Sequence, residues 1–266
     1  MQRRQLLLAV NAAIPTSLIS FSTVAWSQIQ NLNDAINKAG RQRMLSQRMA
    51  KSYLAQGLGV LEAQAEKTLS NSISVFDRQL VELKVYAPRP DVKTTYQQLE
   101  AKWSDYKGAL VGKAPSQQGA AEVLSLSNEV LALANQGTVQ LEALADKPTA
   151  RLVNVAGRQR MLSQRMASQY LAASWNINAQ KAKSEMLKAN DEFIAALKVM
   201  KSAPESTERI LQEIALAEQQ LVFFQAALQK NSSASTGKQP QAEVFLTSER
   251  ILQVMDTITG LYAQVT

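Results

Sequence analysis

The sequence predicts an all-α protein, a tandem duplicated antiparallel helical bundle built from four-helix-bundle-like modules. Three observations carry that expectation. Strong helix formers dominate, and the 266 residues hold only 7 Pro and 10 Gly. No window alternates polar and apolar residues long enough to suggest a sheet. One phrase is also written twice. Ala39-Gly40-Arg41-Gln42-Arg43-Met44-Leu45-Ser46-Gln47-Arg48-Met49-Ala50 recurs letter for letter as Ala156-Gly157-Arg158-Gln159-Arg160-Met161-Leu162-Ser163-Gln164-Arg165-Met166-Ala167. An Asn precedes each copy (Asn37, Asn154), and a Tyr-Leu pair follows each (Tyr53-Leu54, Tyr170-Leu171). Packing needs only volume and polarity pattern, so identical Arg, Gln and Ser point to a more specific role.

The chain opens with Arg3-Arg4, an apolar run from Gln5 to Ile19, and Ala25-Trp26-Ser27. That is the layout of a signal peptide over residues 1–27. Arg3-Arg4 also fits part of a twin-arginine signal, so both export routes stay open. The other reading, an uncleaved anchor helix, is weakened by Pro15 and the interspersed Ser and Thr. The first module, 28–147, is expected to hold a long helical pattern from Asn31 to Leu61, or on to Tyr86, ending at Ala87-Pro88-Arg89-Pro90. Helices over Val92–Leu110 and Ala120–Ala145 follow. The second module, 148–266, is expected to run from Thr149 to Lys201 and from Glu205 to Lys230. A polar linker, Asn231 to Pro240, then leads to a last helix over Ala242–Gln264. A shift of 117 lays Phe76 on Phe193, Leu80 on Leu197 and Leu99 on Leu216. Farther along, Asn128-Glu129 falls on Ser248-Glu249. Phe76, Leu80, Trp103, Phe193, Leu197 and Phe223 read as ordinary core positions.

The absence of Cys and His removes disulfides, thiol nucleophiles, imidazole-based triads and the usual zinc sites. No cofactor, metal site or catalytic constellation is expected, and the protein does not read as an enzyme. Without Arg3 and Arg4, 27 basic residues face 22 acidic ones. This mild excess suits small anions or a membrane surface better than nucleic acid.

On a helix of about 3.6 residues per turn, Ile36, Gly40, Arg43, Gln47, Ala50 and Leu54 fall on one side. Leu45, Met49 and Tyr53 fall on another. Asn37, Arg41, Arg48 and Ser52 share a strip expected to be wet, where the arginines read equally well as solvated charges. Two apolar faces exceed the needs of one bundle core, so this helix should touch something on both sides. Arg43 lies on an apolar face, where an unpaired guanidinium is costly. It needs an anion, and its planar fork suits a planar oxyanion. If the first helices of the two halves pack about a pseudo-twofold axis, Arg43 and Arg160 converge on one anion. The competing reading pairs each with a Glu or Asp of its own half.

The phrase resembles the signature of the PilJ-type domain, the periplasmic N-terminal domain of type IV pili methyl-accepting chemotaxis transducers. It is also similar to the P-box of the nitrate/nitrite sensor kinases of the NarX and NarQ type. The resemblance implies four-helix bundles and a ligand clamped by one Arg from each paired helix. By motif position these are Arg43 and Arg160, with Gly40, Gly157, Met44 and Met161 at the family's Gly and Met, and Gln47 and Gln164 one turn further on. The implied function is a periplasmic protein that binds a small anion, nitrate or nitrite, and signals to a membrane sensor, chemoreceptor or transporter. The pairing could lie within one chain or in a homodimer. The alternative is a helical protein that docks to pilus, chemotaxis or envelope components and binds no small ligand.

Overall fold

The computed structural model describes residues 28–145, 147–230 and 238–265. The signal peptide expected over 1–27 lies outside them, as do residues 231–237 of the expected linker. Among the described residues are eight α-helices and no strand: α1 (Leu32–Gly57), α2 (Glu62–Tyr86), α3 (Pro90–Val111), α4 (Gln117–Glu142), α5 (Pro148–Ser174), α6 (Ala179–Ser202), α7 (Glu208–Gln229) and α8 (Gln239–Gln264). Proline stands at the start of α3, α5 and α8, where its missing N–H costs nothing and its fixed φ suits a helix. Pro240 therefore belongs to α8 rather than to the linker.

Each long pattern that opens a half is two helices. The first breaks at 58–61, where Gly59 (φ 64°) and Leu61 (φ 47°) adopt the left-handed conformation. The second breaks at 175–178, where Asn176 (φ 58°) and Asn178 (φ 47°) do the same. Gly and Asn tolerate this region far better than Leu. The turn is thus duplicated along with the phrase, and Leu61 occupies the costlier version of it.

Helices α1–α4 form one antiparallel four-helix arrangement and α5–α8 a second, and the most extensive interface in the molecule joins α1 to α5. These two helices run parallel: Gly40 lies beside Gly157, and Gly57 lies against the Trp175 ring. One continuous apolar core spans both halves. Its α2/α3 layer contains Phe76 stacked on Trp103 at 4.2 Å, and its α6 layer contains Phe193 and Leu197.

One core expectation, Phe223, and one register expectation, Leu99 on Leu216, are each off by one residue. Phe223 is 62% exposed while Phe224 is fully buried, and Leu216 is exposed while Ala217 is buried. The register between halves is 117 through α2 and α6, but in α7 the positions buried like Val92, Tyr96 and Leu99 are Ile210, Ile214 and Ala217. The loop before α7 shifts the pattern by one position. The strip expected to be wet is covered as well. Ser52 is fully buried, and Arg41 and Arg48 are partly buried against Asp256 and Glu249 of α8 and, for Arg48, Ser72 of α2. No helix among the described residues is long and apolar enough to cross a membrane.

Candidate functional site

Helix α1 starts at the Asn31 cap, whose side chain accepts the Asp34 N–H at 2.9 Å, and α5 starts at Pro148. Three turns into each, the missing side chains of Gly40 and Gly157 let the two backbones approach closely. A β-carbon on Gly40 stands 3.9 Å from the Gly157 Cα, 3.2 Å from Arg43 Nη2 and 3.3 Å from Arg160 Nη2. Both guanidinium groups therefore close on the helix crossing. Arg43 is 1% exposed and Arg160 0%. Each reaches across the interface: Arg43 Nη2 donates to the Asn154 carbonyl at 3.3 Å, and Arg160 Nη2 to the Asn37 carbonyl at 3.0 Å.

The second donor of each arginine breaks the symmetry. Arg160 Nη1 donates to the Asp256 carboxylate at 2.6 Å, while Arg43 Nη1 donates to the neutral Asn135 Oδ1 at 3.0 Å. Pairing with an acid of its own half holds for Arg160; among the described residues no carboxylate hydrogen-bonds Arg43, and Glu142 of its own half acts on it only through its charge. Neither Nε has a hydrogen-bond partner. Burial, with Arg158 and Arg160 close by, pulls the Arg43 guanidinium down to about 9. Burial pulls Arg160 down to about 10, opposed by Asp256. Both groups remain cationic at neutral pH.

The other arginines of the phrase are paired rather than solvated. On α1, Arg41 donates to Asp256 at 2.7 and 3.0 Å, and Arg48 pairs with Glu249. On α5, Arg158 pairs with Glu192 of α6, and Arg165 contacts Asn128 at 2.8 Å and Glu185 at 2.9 Å. Fully buried Lys51 donates to Ser248 at 2.9 Å and to Glu249, and lies over the Phe245 ring.

Of the eight residues singled out in the sequence, the fold brings together Arg43, Arg160, Gly40 and Gly157. Gln47 and Gln164 lie one turn further on and tie neighbouring helices, donating to the Ser127 and Ser248 carbonyls at 3.3 and 2.9 Å. Met44 and Met161 line two separate surface grooves. Met44 shares one of about 530 Å³ with Arg41, Arg48, Glu249 and Asp256. Met161 shares one of about 470 Å³ with Arg158, Arg165, Asn128 and Asn135. Sequence reasoning missed Asn135, Asp256 and Lys51. The shift of 120 that set Asn128-Glu129 on Ser248-Glu249 is one short, because equivalent bonds place Asn128 with Glu249 and Asn135 with Asp256. That register would have exposed the Asn-for-acid exchange.

Fold and centre together define a duplicated helical bundle whose two copies of one motif meet as a parallel pair around buried arginines. The chain matches the family of the type IV pili methyl-accepting chemotaxis transducer N-terminal domain (PilJ) over residues 24–129 and 146–222, and it belongs to that family. No curated protein and no solved structure matches it.

Proposed function

We propose that this is a non-catalytic periplasmic sensing protein that captures a small planar oxyanion at the Arg43/Arg160 centre and passes its occupancy to a membrane receptor or transporter. Nitrate and nitrite are the leading ligands, by the likeness of the phrase to the sensor-kinase P-box. In this reading residues 28–147 and 148–266 are the two modules, each supplying one arginine. One observation carries it: two fully buried guanidinium groups converge where a single bonded carboxylate serves them, and each keeps an unpartnered Nε–H. Buried cations in that arrangement favour an added anion.

The test is thermal unfolding with nitrate, nitrite, sulfate and phosphate against matched chloride. At a hundredfold excess over its dissociation constant a ligand adds about 2.7 kcal/mol of stability. A selective shift with nitrate or nitrite that disappears in Arg43→Ala supports the reading. The same shift in Arg43→Ala and Arg160→Ala sinks it.

The docking alternative has its own observation. Leu216 and Phe223 lie two turns apart on α7, 40% and 62% exposed beside Val222 at 64%. Under that reading Phe223→Ser leaves the fold intact and weakens capture by an envelope receptor, while anions leave stability unchanged.

A further inference from the structure

The two halves present the same arginines to helices of different charge. Where α8 offers Glu249 to Arg48 and Asp256 to Arg41 and Arg160, α4 offers Asn128 to Arg165 and Asn135 to Arg43. The acids that pair with Arg165 and Arg158 of the second phrase come instead from α6, as Glu185 and Glu192. Their counterparts on α2, Thr68 and Val75, carry no charge. This exchange keeps Arg158 and Arg165 paired. It does not serve Arg43, because Glu192 bonds Arg158 and no carboxylate among the described residues bonds Arg43.

Asp256 shows what belongs in such a place. Its Oδ1 lies 2.6 Å from Arg160 Nη1 and 2.7 Å from Arg41 Nη2, so one planar carboxylate bridges a buried and a groove-lining guanidinium. The pseudo-symmetric position is held by the Asn135 carboxamide, which accepts from buried Arg43 and lines the 470 Å³ groove together with Arg158. A carboxamide there supplies one acceptor for Arg43 and an N–H donor for a guest, but no charge.

We propose that the protein binds one planar monoanion per chain beside Asn135, bridging Arg43 and Arg158. Asp256 then supplies in the other half, from the chain itself, the charge that Asn135 lacks. The ligand class is a small ion with two coplanar oxygens, as in nitrate, nitrite or a short carboxylate, entering from the groove between α4 and α6. This rests on the anion-sensing reading above and specifies which half responds. It makes Asn135 the residue that keeps the site receptive and Asp256 the one that closes its twin.

The experiment is calorimetric titration and thermal unfolding of the full mature chain with sodium nitrate and sodium formate, with sulfate as the tetrahedral control and chloride matched. The wild type is expected to take one planar anion and to ignore sulfate; the nitrate and formate arms decide between an inorganic ion and a carboxylate. Asn135→Asp gives Arg43 a covalent counter-charge and sets a carboxylate against the guest. It is expected to raise the unfolding temperature in anion-free buffer and to weaken binding by about tenfold or more, as a charge-assisted contact gives way to like-charge repulsion. Asp256→Asn is expected to leave the first site intact and to add a second equivalent of bound anion. Asn135→Asp that folds and still binds as the wild type does overturns the inference alone. Asp256→Asn that abolishes binding overturns it too, by placing the anion in the other half. A wild type indifferent to every anion overturns the sensing reading itself and this inference with it.

Discussion

At the residue scale, burial with and without a hydrogen-bonded carboxylate separates two arginines that the sequence cannot tell apart. Arg160 hydrogen-bonds Asp256, whereas Arg43 hydrogen-bonds only neutral oxygens and feels the Glu142 carboxylate without a bond to it. Replacing a buried cation that has no bonded counter-charge by an apolar group of similar length is often neutral or stabilising, but removing one member of a buried pair is costly. Arg43→Met should therefore leave stability unchanged or raise it. Arg160→Met should lower it by about 1–3 kcal/mol, moderated because Asp256 keeps Arg41. Urea denaturation of both variants checks this, and equal losses would contradict the charge asymmetry. The sequence made Arg43 and Arg160 visible because the copies are identical and the face around them is apolar. Asn135 and Asp256 stayed hidden, since they lie on helices whose sequences have diverged and whose register has slipped.

At the element scale, periodicity revealed that helices exist but not where the long ones bend. The turns at 58–61 and 175–178 lie between patterns that continue on either side, and only Gly59, Asn176 and Asn178 mark them. Three of the four left-handed positions carry residues suited to them, and Leu61 does not. Asn178→Leu should accordingly cost about 1 kcal/mol or more in backbone strain, read as a lower denaturation midpoint with an unchanged slope. A substitution without cost would mean that the turn relaxes out of the left-handed region. The parallel pairing of α1 and α5 was foreshadowed by two apolar faces on one helix. The burial of the third strip was not, because only tertiary structure brings α8 over Arg41 and Arg48.

At the scale of the whole molecule, α8 is held to the central helices by carboxylates, and this gives stability a definite dependence on pH. At Glu249 burial pushes the carboxyl up, but Lys51 and Arg48 outweigh it and hold it down at about 2, from an ordinary 4.5. At Asp256 burial acts likewise and Arg160 and Arg41 prevail, again lowering it. Depressed carboxylates stabilise the fold above their unfolded values, so stability should fall as pH drops from 4.5 towards 2. Lys51 works in the other direction. Burial, only partly opposed by Glu249, lowers it from 10.5 to about 8, so the unfolded chain holds more protons in that window and stability should rise with pH across it. Denaturation midpoints at stepped pH test both limbs. Hydrogen exchange should find α8 opening first in acid, and protection lost uniformly over all eight helices would contradict its dependence on those carboxylates.

The short connection from Glu142 to Pro148 has a consequence for how such a molecule can evolve. Helix α5 is delivered to α1 on a tether of a few residues, equivalent to a local concentration in the millimolar range or above, so dilution does not part them. Two separate copies meeting about a true dyad would have to carry Asp at both positions or Asn at both, as an isologous contact demands. Covalent fusion removes that obligation. One copy can be locked shut while its twin stays open, an inequality that a symmetric pair of identical chains could not encode in its sequence.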